Sequence, residues 1–156
     1  MFAFALALAL HTVAAAVWVG GMFFAYLVLR PAIADLAVDE RLGLWLKVLP
    51  VFFRWVWLAV ATLLATGYGV LLLGYRGGLG GGGLHIDIMQ ATGLTMIALF
   101  AYLFFVPWQG LRAAMAAGDL DAASRQQGRI RVIVGVNLAL GLFTAAVGAT
   151  GTLWAY

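Results

Sequence analysis

The sequence has no cysteine, and only 10% of its 156 residues are charged. The absence of cysteine excludes disulfide-stapled folds, thiolate metal sites and thiol redox chemistry. The scarcity of charge excludes a soluble globular protein, in which about 25% of residues are charged. No apolar run holds a pair of carboxylates or a nucleophile beside a base, so hydrolytic and glycosidic chemistry have no residues to support them. Whether the protein is an enzyme stays open, and any reaction would depend on a bound cofactor.

Apolar side chains are in excess and make up 65% of the sequence. A chain this short cannot bury so much apolar surface in one core, whereas a bilayer about 30 Å thick accepts about 20 apolar residues per helix. Four runs are long enough, at residues 2–29, 51–73, 84–107 and 130–156. Pro31, Pro50 and Pro107 stand at their borders, where proline commonly begins or ends a helix. The sequence therefore predicts an all-α, integral membrane, up-down four-helix bundle, with a single transmembrane domain over residues 1–156.

The nine basic residues predict the orientation of these spans. Eight border or occupy the first and third connections, whereas Arg76 alone lies in the glycine-rich second connection. Because positive charges remain on the cytoplasmic side, the first and third connections are predicted to be cytoplasmic and both termini periplasmic, in a multi-pass protein of the bacterial inner membrane. Topology thereby explains the formal net charge of +3. The predicted partner is the lipid bilayer and not nucleic acid.

Histidine occurs only twice, as His11 in the first span and His85 in the third. At a rise of about 1.5 Å per residue, His11 lies roughly 28 Å from Arg30 and His85 roughly 33 Å from Pro107. Both are therefore predicted at a similar depth near the outer face. Ionisable residues inside a membrane are expensive and become candidates for function. A histidine that only hydrogen-bonds a neighbouring carbonyl group is the competing interpretation.

Methionine follows each histidine on the same helix face. Residues at offsets of four, seven and eleven share a face, which gives Trp18 and Met22 in the first span, and Met89 and Met96 in the third. Imidazole and thioether groups suit copper, Cu(I) above all, and also the axial positions of a b-type haem. Packing alone is the competing interpretation for each methionine and for Trp18. The predicted metal ligands are His11, His85, Met22, Met89 and Met96, and the predicted haem site consists of His11, His85 and Trp18.

Two other features concern helix packing. Asn137 is predicted to join two helices by a hydrogen bond, and residues 111–127 of the third connection to form a short interfacial helix. The fourth span is rich in small residues, which allow membrane helices to approach closely. These small residues are Gly135, Gly141, Ala145, Gly148 and Gly151.

Three stretches of the chain carry a family pattern. They are Leu10-His11-Thr12 through Trp18 to Leu29-Arg30-Pro31, then Leu84-His85 followed by Met89, Gly93 and Met96, and finally Ile130-Arg131 leading to Asn137-Leu138. These stretches resemble the short four-span members of the CopD family of bacterial inner-membrane copper-resistance proteins. The resemblance implies copper as the substrate, with His11 and His85 as the matching positions. It also implies a periplasmic copper carrier, CopC, as a partner, and a homo-oligomer to supply the spans that larger members contain.

A second resemblance is to the HemJ type of protoporphyrinogen oxidase, a four-span protein that binds b-type haem. The shared features are a histidine early in span one followed by a Trp and a Gly, and a Leu-His pair opening span three. The sequence departs from that pattern at Asp87, where the family has a lysine. A haem-b redox protein with His11 and His85 as ligands is therefore the alternative to copper handling. A structural or assembly subunit without a cofactor is the third hypothesis.

Overall fold

The computed structural model describes residues 2–74 and 83–154, and every regular element in these ranges is helical. Residues 75–82 of the glycine-rich second connection, including Arg76, lie outside the described residues. The elements are helix α1 (Phe2–Phe23), a π-helical segment (Phe24–Leu29), the short helix α2 (Arg30–Ala32), and helices α3 (Val38–Gly74), α4 (Leu84–Phe105), α5 (Pro107–Ala116) and α6 (Leu120–Thr150), followed by a 3₁₀ turn (Gly151–Leu153). The predicted all-α class is confirmed.

Within the described residues, four helical stretches are long and apolar enough to cross a membrane. We number them spans one to four in chain order: Phe2–Ala32, Val38–Leu73, Leu84–Ala116 and Leu120–Leu153. Helix α1 packs mainly against α3, and α4 against α6, while α1 also contacts α6. The start of α1 meets the end of α3 through His11 and Thr66, so spans one and two are antiparallel. The predicted up-down four-helix bundle is confirmed.

Helix α3 begins at Val38 and continues through Pro50, so the prediction that the second helix follows Pro50 is wrong. The acidic side chains of Asp39 and Glu40 lie in its first turn, where they interact favourably with the helix dipole. An apolar stripe then crosses the proline without interruption. Burial on both sides of Pro50 outweighs the one backbone hydrogen bond that a proline removes. The buried residues of this stripe are Leu42, Trp45, Leu49 and Phe53.

Proline has the expected effect at the end of helix α4, within span three. Helix α4 ends at Phe105, and Pro107 begins α5. The prediction of a short helix over residues 111–127 is wrong, because α5 ends at Ala116. The turn after α5 is only three residues long, because Gly118 adopts φ 73° and Asp119 caps α6 by accepting a hydrogen bond from the Ala122 N–H at 2.8 Å. Helix α6 therefore starts at Leu120, ahead of the predicted span start at residue 130.

An aromatic cluster holds spans one, two and three together. The Phe53 ring lies edge-on to Phe100 and Trp108, with ring centres 5.7 and 5.4 Å apart. Trp18 of span one meets the same Phe100 ring at 6.2 Å. Trp18, Phe53, Phe100 and Trp108 are all buried. Span four has no part in these ring contacts and packs by another means.

Span four packs through its glycines. A Cβ atom on Gly141 would lie 2.8 Å from Cγ2 of Val19 and 3.1 Å from Cε of Met96. A Cβ atom on Gly135 would lie 3.1 Å from the Tyr26 hydroxyl oxygen. The side-chain amide of Asn137, between these glycines, donates to the Met96 carbonyl oxygen at 3.1 Å. The predicted close approach is confirmed at Gly135, Gly141, Gly148 and Gly151. It is wrong for Ala145, which is exposed. The predicted interhelical hydrogen bond of Asn137 is confirmed.

Candidate functional site

His85, the second residue of α4, packs against the end of span four and is only 8% exposed. Gly151 lies directly against it, because a Cβ atom at Gly151 would overlap the His85 side chain. The Trp154 ring stands edge-on to the imidazole at 6.3 Å between ring centres. His85 is thus enclosed between the first turn of span three and the last turn of span four.

Met89 lies one turn deeper on the same face of span three and also contacts a glycine. Its sulfur lies 3.3 Å, and its methyl carbon 3.0 Å, from the point where a Cβ of Gly148 would be. Side chains four residues apart on a helix have Cβ atoms about 5–6 Å apart. His85 and Met89 are therefore neighbours on the face of span three that packs against span four.

Met96 continues this series toward the centre of the bundle. It is 4% exposed, and its methyl group lies against Gly141. Between Met89 and Met96, the Thr144 hydroxyl of span four donates to the Thr92 hydroxyl oxygen at 2.7 Å. We name His85, Met89 and Met96 the soft-donor series. At about 1.5 Å per residue, Met89 is about 6 Å deeper than His85, and Met96 about 10 Å deeper than Met89.

His11 belongs to a different pair of helices. Its Nδ1 lies 3.0 Å from the Thr66 hydroxyl oxygen of span two. Thr66 donates its hydroxyl proton to the Thr62 carbonyl oxygen at 2.6 Å, so its oxygen accepts from His11 in the tautomer that carries a proton on Nδ1. The ring lies over Gly67, where a Cβ would be 3.0 Å from His11 Cε1. His11 therefore makes its contacts in the interface between spans one and two. His85 makes its contacts in the interface between spans three and four.

The depths of the two histidines can be compared from a shared level. Val19 of span one and Met96 of span three both meet span four at Gly141. Counting back along each helix, His11 lies about 12 Å and His85 about 17 Å from that level, toward the same end of the bundle. The two histidines differ in depth by about one turn. We call this the histidine end, and the opposite end, with Arg30, the arginine end.

Trp18 and Met22 lie below His11 in the apolar core. Trp18 is buried against Phe100, and Met22 is 2% exposed.

Residues 2–74 and 83–154 contain no group of three or more His, Cys, Asp or Glu side chains that could hold a metal ion. Asp87 is exposed and lies near the Gln90 amide at 3.5 Å, in the first turn of α4. The donors that converge on span four are thus one imidazole and two thioethers.

Several contacts of the candidate residues were not predicted from the sequence. They are the Thr66–Gly67 surface under His11, the Gly151–Trp154 pair around His85, and the Thr92–Thr144 hydrogen bond. The sequence did contain a signal for the register of spans three and four, which brings Thr92 to Thr144. Gly141 and Gly148 of span four have the same seven-residue spacing as Met89 and Met96 of span three, as an antiparallel pair in constant register requires.

The family model described as copper resistance protein D matches residues 46–151. The chain belongs to the CopD family. The matched region of this CopD protein contains the whole soft-donor series and Gly141, Gly148 and Gly151, and it begins after His11 and Trp18. No curated protein and no solved structure matches the chain. Membership and the four apolar helices together indicate a multi-pass copper-resistance membrane protein.

Replacing Thr66 by valine is expected to destabilise the CopD protein by about 0.5–1.5 kcal/mol, because the hydrogen bond between the Thr66 hydroxyl and the His11 ring is lost. Thermal unfolding of the purified protein in detergent measures the change. Thr62→Val is the matched control, because the Thr62 hydroxyl only donates to the Leu58 carbonyl on its own helix. Equal changes in the two variants would show that His11 does not join spans one and two.

Proposed function

We propose that the protein binds copper, as Cu(I), at the His85–Met89 pair near the outer face of the membrane and exchanges it with Met96 deeper in the bundle. One observation carries this proposal: all three side chains meet span four at glycines, in a single row. The donors therefore lie within the protein interface and not in lipid. Copper is the substrate that the soft-donor series binds.

The imidazole and thioether groups of the soft-donor series favour a soft cation. Thioether sulfur prefers Cu(I) to hard cations, and imidazole binds copper well. An imidazole that makes a hydrogen bond through one ring nitrogen still offers the other nitrogen to a metal. His85 and Met89, one turn apart, supply two ligands to one ion, while Met96 is too deep to join them and forms a separate step.

The basic residues support an outer position for the His85–Met89 pair. Arg30, Arg41 and Arg131 all lie at the arginine end of the bundle, whereas His85 and Trp154 lie at the histidine end. Positive charges remain cytoplasmic, so the histidine end, with the start of span one and the end of span four, faces the outer side of the inner membrane. A periplasmic copper carrier would meet His85 at this face. A homo-oligomer would supply further spans for a complete pathway.

Titration of the purified protein with Cu(I), against a chromophoric Cu(I) chelator, tests the proposal. His85→Ala is expected to weaken Cu(I) binding by roughly tenfold or more, equivalent to a loss of about 1.4 kcal/mol. His11→Ala is the matched control and is expected to stay within about twofold of the wild-type affinity, because His11 contacts span two and not span four.

The opposite pattern would contradict the proposal. If His11→Ala abolishes Cu(I) binding and His85→Ala does not, the soft-donor series is not the site. An absorption spectrum of the same preparation provides the second criterion. A Soret band that disappears in His11→Ala would make the protein a b-type haem protein, as the HemJ resemblance implies.

A further inference from the structure

The arginine end contains a cavity of about 320 Å³ that the copper proposal does not use. It lies between spans one, two and four, and its wall is partly apolar, with Trp45, Leu49 and Phe52 on the span-two side. Its polar lining comes from all three spans. The polar residues are Tyr26, Arg30, Arg41, Ser124, Gln127 and Arg131.

Three arginines converge on this cavity from separate parts of the chain. Arg30 follows the π-helical segment of span one, Arg41 lies near the start of α3, and Arg131 lies in α6. None of the described residues that line the cavity is acidic. Like charges gathered around one cavity repel each other. An anion in the cavity would remove this repulsion.

The backbone of span one changes form at this cavity. Residues Phe24–Leu29 are π-helical, a conformation that is rare and frequently found at functional sites. Tyr26, within this segment, lies over Gly135 of span four. The Arg30 guanidinium lies over the Tyr26 ring, with its carbon 5.4 Å from the ring centre. The aromatic ring thereby supports one of the three guanidinium groups at the cavity.

We infer that this cavity binds a phosphate group, carried either by an anionic phospholipid or by a free phosphate ester. A guanidinium group donates two parallel hydrogen bonds to phosphate oxygens, which makes arginine well suited to this ligand. Basic pockets between membrane helices on the cytoplasmic side bind lipid headgroups. The apolar wall on span two gives the acyl chains or the carbon skeleton of such a ligand a surface to contact.

Membrane topology explains why the arginines lie at this end of the bundle, but it does not explain why three of them line the same cavity. Arg54, Arg125 and Arg129 belong to the same half of the bundle as the three cavity arginines, yet none of them lines the cavity. They form a matched control set, because their replacement removes the same charge from the same end of the protein.

The test uses the purified full-length protein in a neutral maltoside detergent and measures ligand binding by calorimetry. The probes are dioctanoyl phosphatidylglycerol and glycerol 3-phosphate, with dioctanoyl phosphatidylcholine as the zwitterionic lipid of equal chain length. Phosphatidylglycerol is expected to bind about tenfold more tightly than phosphatidylcholine. The variant Arg30→Gln/Arg41→Gln/Arg131→Gln is expected to lose at least that factor, roughly tenfold, and Arg54→Gln/Arg125→Gln/Arg129→Gln to stay within about twofold of wild type.

Competition between the probes distinguishes the two sources of phosphate. If glycerol 3-phosphate displaces phosphatidylglycerol, the phosphate group suffices and a free ester is a ligand. If it does not, the acyl chains are required and the ligand is a lipid. Equal weakening in the two triple variants, or no weakening in either, would overturn the inference. If the cavity triple variant fails to fold, Arg131→Gln alone is compared with Arg129→Gln and is expected to weaken binding several-fold more.

Discussion

Replacing Gly151 by alanine is expected to lower the midpoint of thermal unfolding by about 3–8 °C and to weaken Cu(I) binding. The added Cβ would overlap the Cβ atom of His85, whose position is fixed by the His85 backbone. Rotation of the imidazole therefore cannot relieve the contact. Spans three and four would have to separate at the histidine end. Thermal unfolding and Cu(I) titration of the same preparation measure both effects.

Gly93→Ala is the matched control for this prediction. A Cβ atom at Gly93, which lies in the same span as His85, would meet no atom within 4 Å. Alanine also favours a helix over glycine by about 1 kcal/mol. The unfolding midpoint of Gly93→Ala is therefore expected to be unchanged or raised. If Gly151→Ala behaves in the same way, the close packing of His85 on span four is wrong.

Replacing Met89 by leucine is expected to weaken Cu(I) binding by roughly tenfold or more while changing stability by less than about 1.5 kcal/mol. Leucine fills a similar volume against Gly148 but has no sulfur to donate to the metal. Competition titration with a chromophoric chelator gives the affinity, and thermal unfolding gives the stability.

Two further methionine variants make this result specific. Met115→Leu is the same chemical change at the arginine end, in α5, and is expected to leave Cu(I) affinity within about twofold of wild type. Met96→Leu is expected to preserve the affinity for the first ion, because Met96 lies about 10 Å deeper than Met89. A loss of the first ion in Met96→Leu, with Met89→Leu unaffected, would contradict the pairing of Met89 with His85.

The sequence predicted the architecture because membrane helices leave a strong pattern. Four long apolar runs and the bias of positive charge are visible without any structure. The helical offsets also placed His85, Met89 and Met96 on one face, and the structure puts that face against span four. Gly141, Gly148 and Gly151 were predicted as packing residues for a related reason, since small residues are needed where membrane helices approach.

The rotation of each helix could not be predicted from the sequence. A helical wheel defines a face but not the neighbour toward which that face turns. For this reason the pairing of His11 with Thr66 and of His85 with Gly151 emerged only from the structure. The sequence predicts the start of α3 wrongly, because proline usually marks a helix boundary. Burial of Trp45 before Pro50 and of Phe53 after it extends the helix through the proline.

X-ray absorption at the copper edge tests the central claim, that His85 and Met89 bind Cu(I) together, most directly. The Cu(I)-loaded protein is expected to show both nitrogen and sulfur scatterers around the metal, since the site combines an imidazole and a thioether. The sulfur shell should disappear in Met89→Leu and persist in Met115→Leu. A copper site with nitrogen or oxygen ligands only, or a sulfur shell unchanged in Met89→Leu, would contradict the account.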